Sequence, residues 1–370
     1  MGPTQEDVAR KAKVSRALVS LVMRGSPNVS DTRRRRVLRV AEELGYRPNA
    51  FARSLASKRL HTIGVLINDV TNPYFGGVYS SLAAAAEEAG FDLLVAPGTR
   101  SAAKESALVR TLLEHRVAGL ALLSPLMPTK ELRGLTRSWP TVLIGRDTSL
   151  PGVDIVTTDE HQAARLVLEH LTGLGHRDIV HVTGGSNRSA KDRAKAYRAG
   201  MRELGLEPRE IAGAFSHEGG QEAAREIAGL SPVPTAVIAA NDLVAVGAMG
   251  VFESQGLRVP DDISVVGYDD SQIARLDLVQ LTSVCQGVTQ FGSAAIELLV
   301  RRIEDADAPR VVERIETTLV ERRTTAPPRQ SRVKAARKRS SARSSSPDAN
   351  ASSPTTPAYP ASARARATAG

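Results

Sequence analysis

The chain has 370 residues, 42% of them apolar, which exceeds one ordinary domain and is enough for a sizeable core. One cysteine, Cys285, excludes an intrachain disulfide; with no signal-type apolar stretch in the first thirty residues and no run near the ~18–20 residues of a membrane helix, a cytoplasmic protein without membrane association is expected. The net charge of +9 is uneven: residues 1–59 hold 14 Lys/Arg against 5 Asp/Glu, residues 331–370 hold 8 against Asp348, and residues 60–330 carry −7, so the basic ends point to a polyanion.

Residues 4–46 read as three short helices, about 5–12, 16–23 and 31–44. Ser15 is placed to cap the second and Ser30 the third, which Gly45 and Pro48 stop. In "VARKAKVSRALVSLVMRG", residues 8–25, the apolar set is sparse. Ala9 lets two helices approach closely, Val14 follows a tight turn, and Val19 and Val22 point inward. This pattern predicts a helix-turn-helix with Arg16, Ala17, Ser20, Leu21 and Arg24 facing outward. Such a helix fits the major groove of double-stranded DNA, where its N-terminal residues meet base edges. The linker that follows, "NAFARSLASKR", is too short to hold a helix alone in water.

From Thr62 short β-rich runs alternate with amphipathic segments. The runs are "TIGVLI", "FDLLVA", "GLALLS", "TVLIG", "DIVTT", "DIVHV", "TAVIAA", "DISVVGYDD" and "LTSVCQ"; the helical stretches are 76–90, 104–115, 161–174, 190–205, 219–229, 242–255 and 289–304. Strand–helix alternation over this length predicts two α/β lobes of parallel strands with helices on both faces, dividing near residue 160. The segment 289–304 is expected to return to the first lobe. Beyond about Pro327 the chain turns to Ser, Ala, Pro and Arg without periodicity, which predicts a disordered tail.

Catalytic patterns are missing. There is no GxxxxGK[ST], no GxGxxG after the first strand and no HExxH; the seven histidines are scattered, and Cys285 alone makes no metal cluster. "SAAK" at 101–104 imitates a serine–lysine acylation motif but lacks supporting partners. The expectation is a non-enzyme without metal or cofactor.

The head and linker, together with "NPYF", "LGHRDIVHV", "ANDLVAVGAM", "VPDDISVVGYDD" and "LTSVCQ", resemble the lactose repressor/galactose repressor (LacI–GalR) family over about residues 4–325. The resemblance implies four parts: a helix-turn-helix DNA-binding domain at 1–47, a hinge at 48–60, a two-lobed, periplasmic-binding-protein-like core for ligand binding and dimerisation at 61–327, and the basic tail at 328–370. It implies a homodimeric transcriptional regulator, a repressor, on a near-palindromic operator, switched by a small effector, a sugar or related polyhydroxyl, between the lobes. Carried over by position, Arg16, Ala17 and Leu21 read bases, while Thr4, Ser15, Ser20, Arg24 and Asn28 belong to the DNA-contacting set. Ala52 and Leu55 lie on the hinge, and Leu55 matches a side chain wedged between central base pairs. Lys13 stands where a glycine often makes the turn.

The resemblance also implies an effector set: Asn72, Tyr74, Phe75, Arg146, Asn241, Asp269 and Gln286, which fall at strand ends, where open α/β sheets bind ligands, Arg193, which opens a helix, and Phe215, which matches an aromatic that stacks on the ligand. Planar polar groups suit paired hydroxyls and aromatic faces cover a ring. Asp159 and Asp242 read as helix caps. Gly145 departs from relatives that carry an aspartate there. Two other functions remain open on the residues alone: a transport solute-binding protein, and a regulator that answers to a protein co-regulator instead of a small effector.

Overall fold

The structure, a computed structural model, describes residues 3–23, 26–46, 60–98 and 100–329. Arg24, Ala52 and Leu55, nearly all of the expected hinge, and the tail from 330 onward lie outside the described residues.

The head contains α1 (Gln5–Ala12), α2 (Arg16–Met23) and α3 (Asp31–Glu43). A capping box starts α1: Thr4 Oγ1 accepts from Asp7 N at 3.3 Å, and Asp7 accepts from Thr4 N at 2.9 Å. Lys13 ends it at φ 53, ψ 48, the left-handed conformation the turn demands. Ser15 starts α2 by accepting from Leu18 N. Ser30 stands at the N-cap of α3, but its side chain makes no capping bond, contrary to expectation. Val8, Ala9, Ala12, Val19, Val22, Val37 and Val40 form the head's own small core.

The first lobe has a six-stranded, all-parallel sheet. Its strands are β1 (Thr62–Ile67), β2 (Asp92–Pro97), β3 (Gly119–Leu123), β4 (Thr141–Ile144), β5 (Asp154–Thr158) and β11 (Val312–Ile315), in the order β11-β5-β4-β3-β1-β2. One face is covered by α4 (Pro73–Glu88) and α12 (Val288–Glu304), the other by α5 (Ala102–Glu114) and α6 (Thr129–Thr136). The return of 289–304 to this lobe is thus borne out. A buried ion pair fastens it: Arg302 contacts Asp154 through Nε and Nη2, each at 3.0 Å, and Val311 N adds a bond to the same carboxylate.

The second lobe holds β6 (Ile179–Val182), β7 (Arg209–Ile211), β8 (Ala236–Ala239), β9 (Ser264–Asp269), β10 (Thr282–Cys285) and β12 (Thr318–Val320), ordered β12-β10-β9-β8-β6-β7. Helices α7 (Glu160–Gly173) and α8 (Arg188–Glu203) pack on one face; α9 (His217–Ala228) and α10 (Asp242–Ser254) pack on the other. The short α11 (Gln272–Arg275) follows β9.

The sheets differ from the sequence reading in one respect: β12 runs antiparallel to β10. Strands β7, β11 and β12 and helices α6 and α11 were not anticipated, being too short and mixed for a clear period. The chain changes lobe between β5 and α7, between β10 and α12, and between β11 and β12. Among the described residues no helix is long and apolar enough to cross a membrane.

Candidate functional site

On the head, Arg16 and Ala17 in the first turn of α2 are exposed, while Ser20 and Leu21 are half-buried. Leu21 packs on the head core, so it shows only part of its side chain outward. Thr4 and Ser15 spend hydroxyl lone pairs on capping, and Asn28 is exposed in the loop before α3. Of the arginine run, Arg34 turns back to the Ser26 carbonyl, whereas Arg33, Arg35 and Arg36 are exposed.

Between the lobes seven of the nine expected effector residues converge on one cleft: Asn72, Tyr74, Phe75, Arg193, Phe215, Asn241 and Asp269. Its empty volume is about 490 Å³ with the open mouth included. Asn72 and Asn241 stand at helix N-caps, where their Oδ1 atoms accept from Tyr74 N and Val244 N at 3.0 Å. Among the described residues the Nδ2 of Asn241 is buried without a hydrogen-bond partner, and buried polar atoms in that state are rare enough to need a reason. Asp242, expected as a cap, is instead the first residue inside α10. Its carboxylate accepts from Ser283 Oγ at 2.6 Å and Ser271 N at 2.7 Å, because Asn241 already holds the cap position. Asp159 does cap α7, accepting from His161 N and Gln162 N.

Arg193 is the centre of the cleft wall. Its guanidinium stacks on Tyr268, pairs with Glu160 and donates to the Ala240 carbonyl at 2.6 Å; Phe215 lies 5.7 Å away. Burial works against its charge, but Glu160, Tyr268 and Asp269 outweigh that and raise its pKa above the ordinary value. Gln286 stands just behind the lining and donates to Asp269 Oδ1 at 2.6 Å, while Tyr74 Oη donates to Gln286 Oε1 at 3.4 Å. Burial pushes the Asp269 carboxyl well up, and Arg193 only partly offsets it. The Asp269 backbone sits at φ 118, a conformation costing a non-glycine residue on the order of 1–3 kcal/mol. The hydrogen bonds of its side chain and neighbours hold it there. Phe215 rests on Gly184, where any Cβ would come 2.4 Å from the ring.

Arg146 does not join this cleft. Its guanidinium donates to the carbonyls of Pro125 and Met127 at 2.6 and 2.7 Å and lines a neighbouring groove. The reason is the buried Glu105, which accepts from Leu126 N and Met127 N and so folds the 125–127 loop towards Arg146. Gly145 explains its own departure: φ is +71, its carbonyl accepts from Ser189 Oγ of the second lobe at 2.8 Å, and a Cβ would press on Ser124.

Sequence reading missed Asn68, Asp69, Arg100, Ser124, Asn187 and Ser189, which complete the lining. Arg100 matters most, since Nη1 donates to the Phe215 carbonyl at 2.9 Å while Nε lies 3.5 Å from Asp69. It thereby ties one lobe to the other. Only its position just past β2 could have signalled it. "SAAK" has no site role in view: Lys104 is exposed on α5.

A helix-turn-helix head joined to two lobes that close on a polar, aromatic cleft is the build of a ligand-responsive DNA-binding regulator. Residues 4–49 match the description "Bacterial regulatory proteins, lacI family", and residues 168–325 match "Periplasmic binding protein-like domain". The chain is 33% identical over 332 residues to the HTH-type transcriptional regulator GalR of Escherichia coli (strain K12), covering 88% of this chain and 96% of that one. Among solved structures it is similar to the lac repressor dimer bound to operator and the anti-inducer ONPF, with a TM-score of 0.79 and 27% identity over 88% of this chain and 100% of that chain. It is also similar to the transcriptional regulator CelR–cellobiose complex, with a TM-score of 0.66 and 32% identity over 87% and 99%. The chain belongs to the lacI family of bacterial regulatory proteins, and it is a transcriptional regulator, not an enzyme.

Proposed function

We propose that this chain is a repressor that grips a near-palindromic operator as a homodimer and releases or tightens it when a sugar or related polyhydroxyl enters the interlobe cleft. The observation that carries the effector half is the orphaned Asn241 Nδ2 beside Arg193, Phe215 and Asp269. A hydroxyl oxygen would satisfy that donor, while hydroxyl protons would suit Asp269 and a ring face would suit Phe215. The cellobiose held by CelR and the operator held by the lac repressor dimer support both halves.

On the head, Arg16 is positioned to pair with a guanine and Ala17 to touch a thymine methyl, with Leu21 adding apolar contact. Thr4, Ser15, Ser20, Arg24 and Asn28 are assigned to phosphates and the groove edge, and Ala52 and Leu55 to the hinge over the minor groove. The protein resides on the nucleoid in this reading.

Random-pool selection with full-length protein should recover a two-fold symmetric site with half-sites about one helical turn apart, ~10 base pairs. Calorimetry against sugars, nucleosides and nucleobases should then find a binder that shifts operator affinity some 5–150-fold, a coupling of ~1–3 kcal/mol. Recovery of only salt-sensitive, sequence-blind binding would refute the operator half. Silence across the small-molecule panel would transfer the switch to a protein co-regulator.

A further inference from the structure

Next to the cleft, across the seam between the lobes, runs an open groove of about 1200 Å³, mouth included, that carries Arg146, Arg188, Arg310 and Arg314 against a single carboxylate, Asp147. Three of these arginines belong to the first lobe. Arg146 follows β4, Arg310 precedes β11, and Arg314 lies on it; Arg188 opens α8 of the second. The single carboxylate is shared: Asp147 lies 3.3 Å from Arg314 and 4.0 Å from Arg310. Arg188 has its own partner, Asp192, off the groove at 2.8 Å. Among the described residues the lining therefore keeps a surplus of positive charge after these ion pairs are counted.

The surplus is felt inside the groove. Burial lowers the pKa of Arg146; Glu105 opposes this, and Arg188 adds repulsion from across the seam. Two guanidiniums facing one another across an open groove repel each other and attract an anion placed between them. The seam is narrow here, since Ser189 Oγ of the second lobe reaches Gly145 O of the first at 2.8 Å. Planar guanidinium forks suit phosphate or carboxylate oxygens in bidentate fashion.

We infer that this groove is an anion site that takes a phosphate group and, by bridging Arg188 to Arg314 and Arg310, clamps the two lobes together. The phosphate can be the charged arm of an effector whose sugar ring lies in the adjacent cleft, or free inorganic phosphate. Its role as a switch rests on the effector reading above, whereas the anion site stands without it.

The test is calorimetry on the full-length protein at fixed ionic strength with inorganic phosphate, glucose and glucose 6-phosphate, for the native chain and for Arg188→Gln and Arg314→Gln. Thermal melting verifies that both variants fold. The expected result is phosphate binding, absent with chloride, that weakens about tenfold in each variant, the loss of one charge-assisted contact. A phosphorylated hexose that binds better than both phosphate and the neutral hexose, with the advantage lost in the variants, assigns the anion to the effector. Equal binding of phosphate and hexose phosphate assigns it to the free ion. Absence of binding by both phosphates, or binding unchanged in both variants, overturns the inference, and retained binding of a neutral sugar in that case leaves the effector reading intact.

Discussion

The Arg193 guanidinium carbon lies 3.4 Å from the centroid of the Tyr268 ring, and Tyr268 Oη donates to Glu160 at 2.9 Å, the same carboxylate that pairs with Arg193. One arginine thus joins α8, α7 and the end of β9, while its remaining surface faces the cleft. Anything that moves this group moves three elements of the second lobe at once.

Replacing it tests that linkage. Arg193→Lys keeps the charge but loses the planar face and the fork, so stacking on Tyr268 and pairing with Glu160 cannot coexist. Effector affinity should fall by about tenfold or more, the loss of at least one charge-assisted hydrogen bond. Calorimetry with a sugar selected from the panel reads it; unchanged affinity would remove Arg193 from the ligand site.

The Arg302–Asp154 pair predicts a stability effect. Both side chains are buried, and Arg302 also donates to the Ala308 carbonyl at 2.6 Å. Arg302→Leu leaves the buried carboxylate only Arg301 Nη2 at 3.2 Å and Val311 N at 2.8 Å, so it should cost about 3 kcal/mol, the low end for a broken buried pair. Denaturant unfolding should show that loss, and adding Asp154→Leu should restore part of it.

Asp242 predicts a pH dependence. Burial pushes its carboxyl from the ordinary 3.8 up to about 6, against the pull of Ser283 and Ser271. The native state holds this proton more tightly than the unfolded chain, so the contribution is complete below pH 3.8 and lost as pH rises through about 6. Asp242→Asn should flatten stability across that window and gain on the native protein at neutral pH. Parallel unfolding curves at pH 4 to 7 for the two proteins would contradict this.

Lys13 predicts a stabilising change. At φ 53 and ψ 48 a side chain costs roughly 1–2 kcal/mol, which glycine avoids. Lys13→Gly should slow amide exchange in α1 and α2, partly offset by the greater freedom of glycine in the unfolded chain. Faster exchange would show that Lys13 contributes something the backbone does not reveal.

The head and most of the core were legible in the chain because their signals are local. Capping residues, a small Ala9, period-2 and period-3.6 runs and strand-end polar residues each act over a few positions, so α1 and α2 and strands such as β1 and β5 emerge at or near their observed bounds. Local reading also placed Asn72, Asn241 and Asp269 near one another, since strand ends in an α/β sheet face one rim, and the family resemblance added Arg193.

Tertiary structure alone decided the rest. Arg146 leaves the cleft because Glu105, 41 positions earlier, has folded the 125–127 loop beneath it. Arg100 meets the Phe215 carbonyl 115 residues away, and β12 turns antiparallel because the chain has just crossed from β11 in the other lobe. These outcomes depend on distances between remote segments. A linear pattern records which side chains are available, while the packing of two sheets fixes which of them meet.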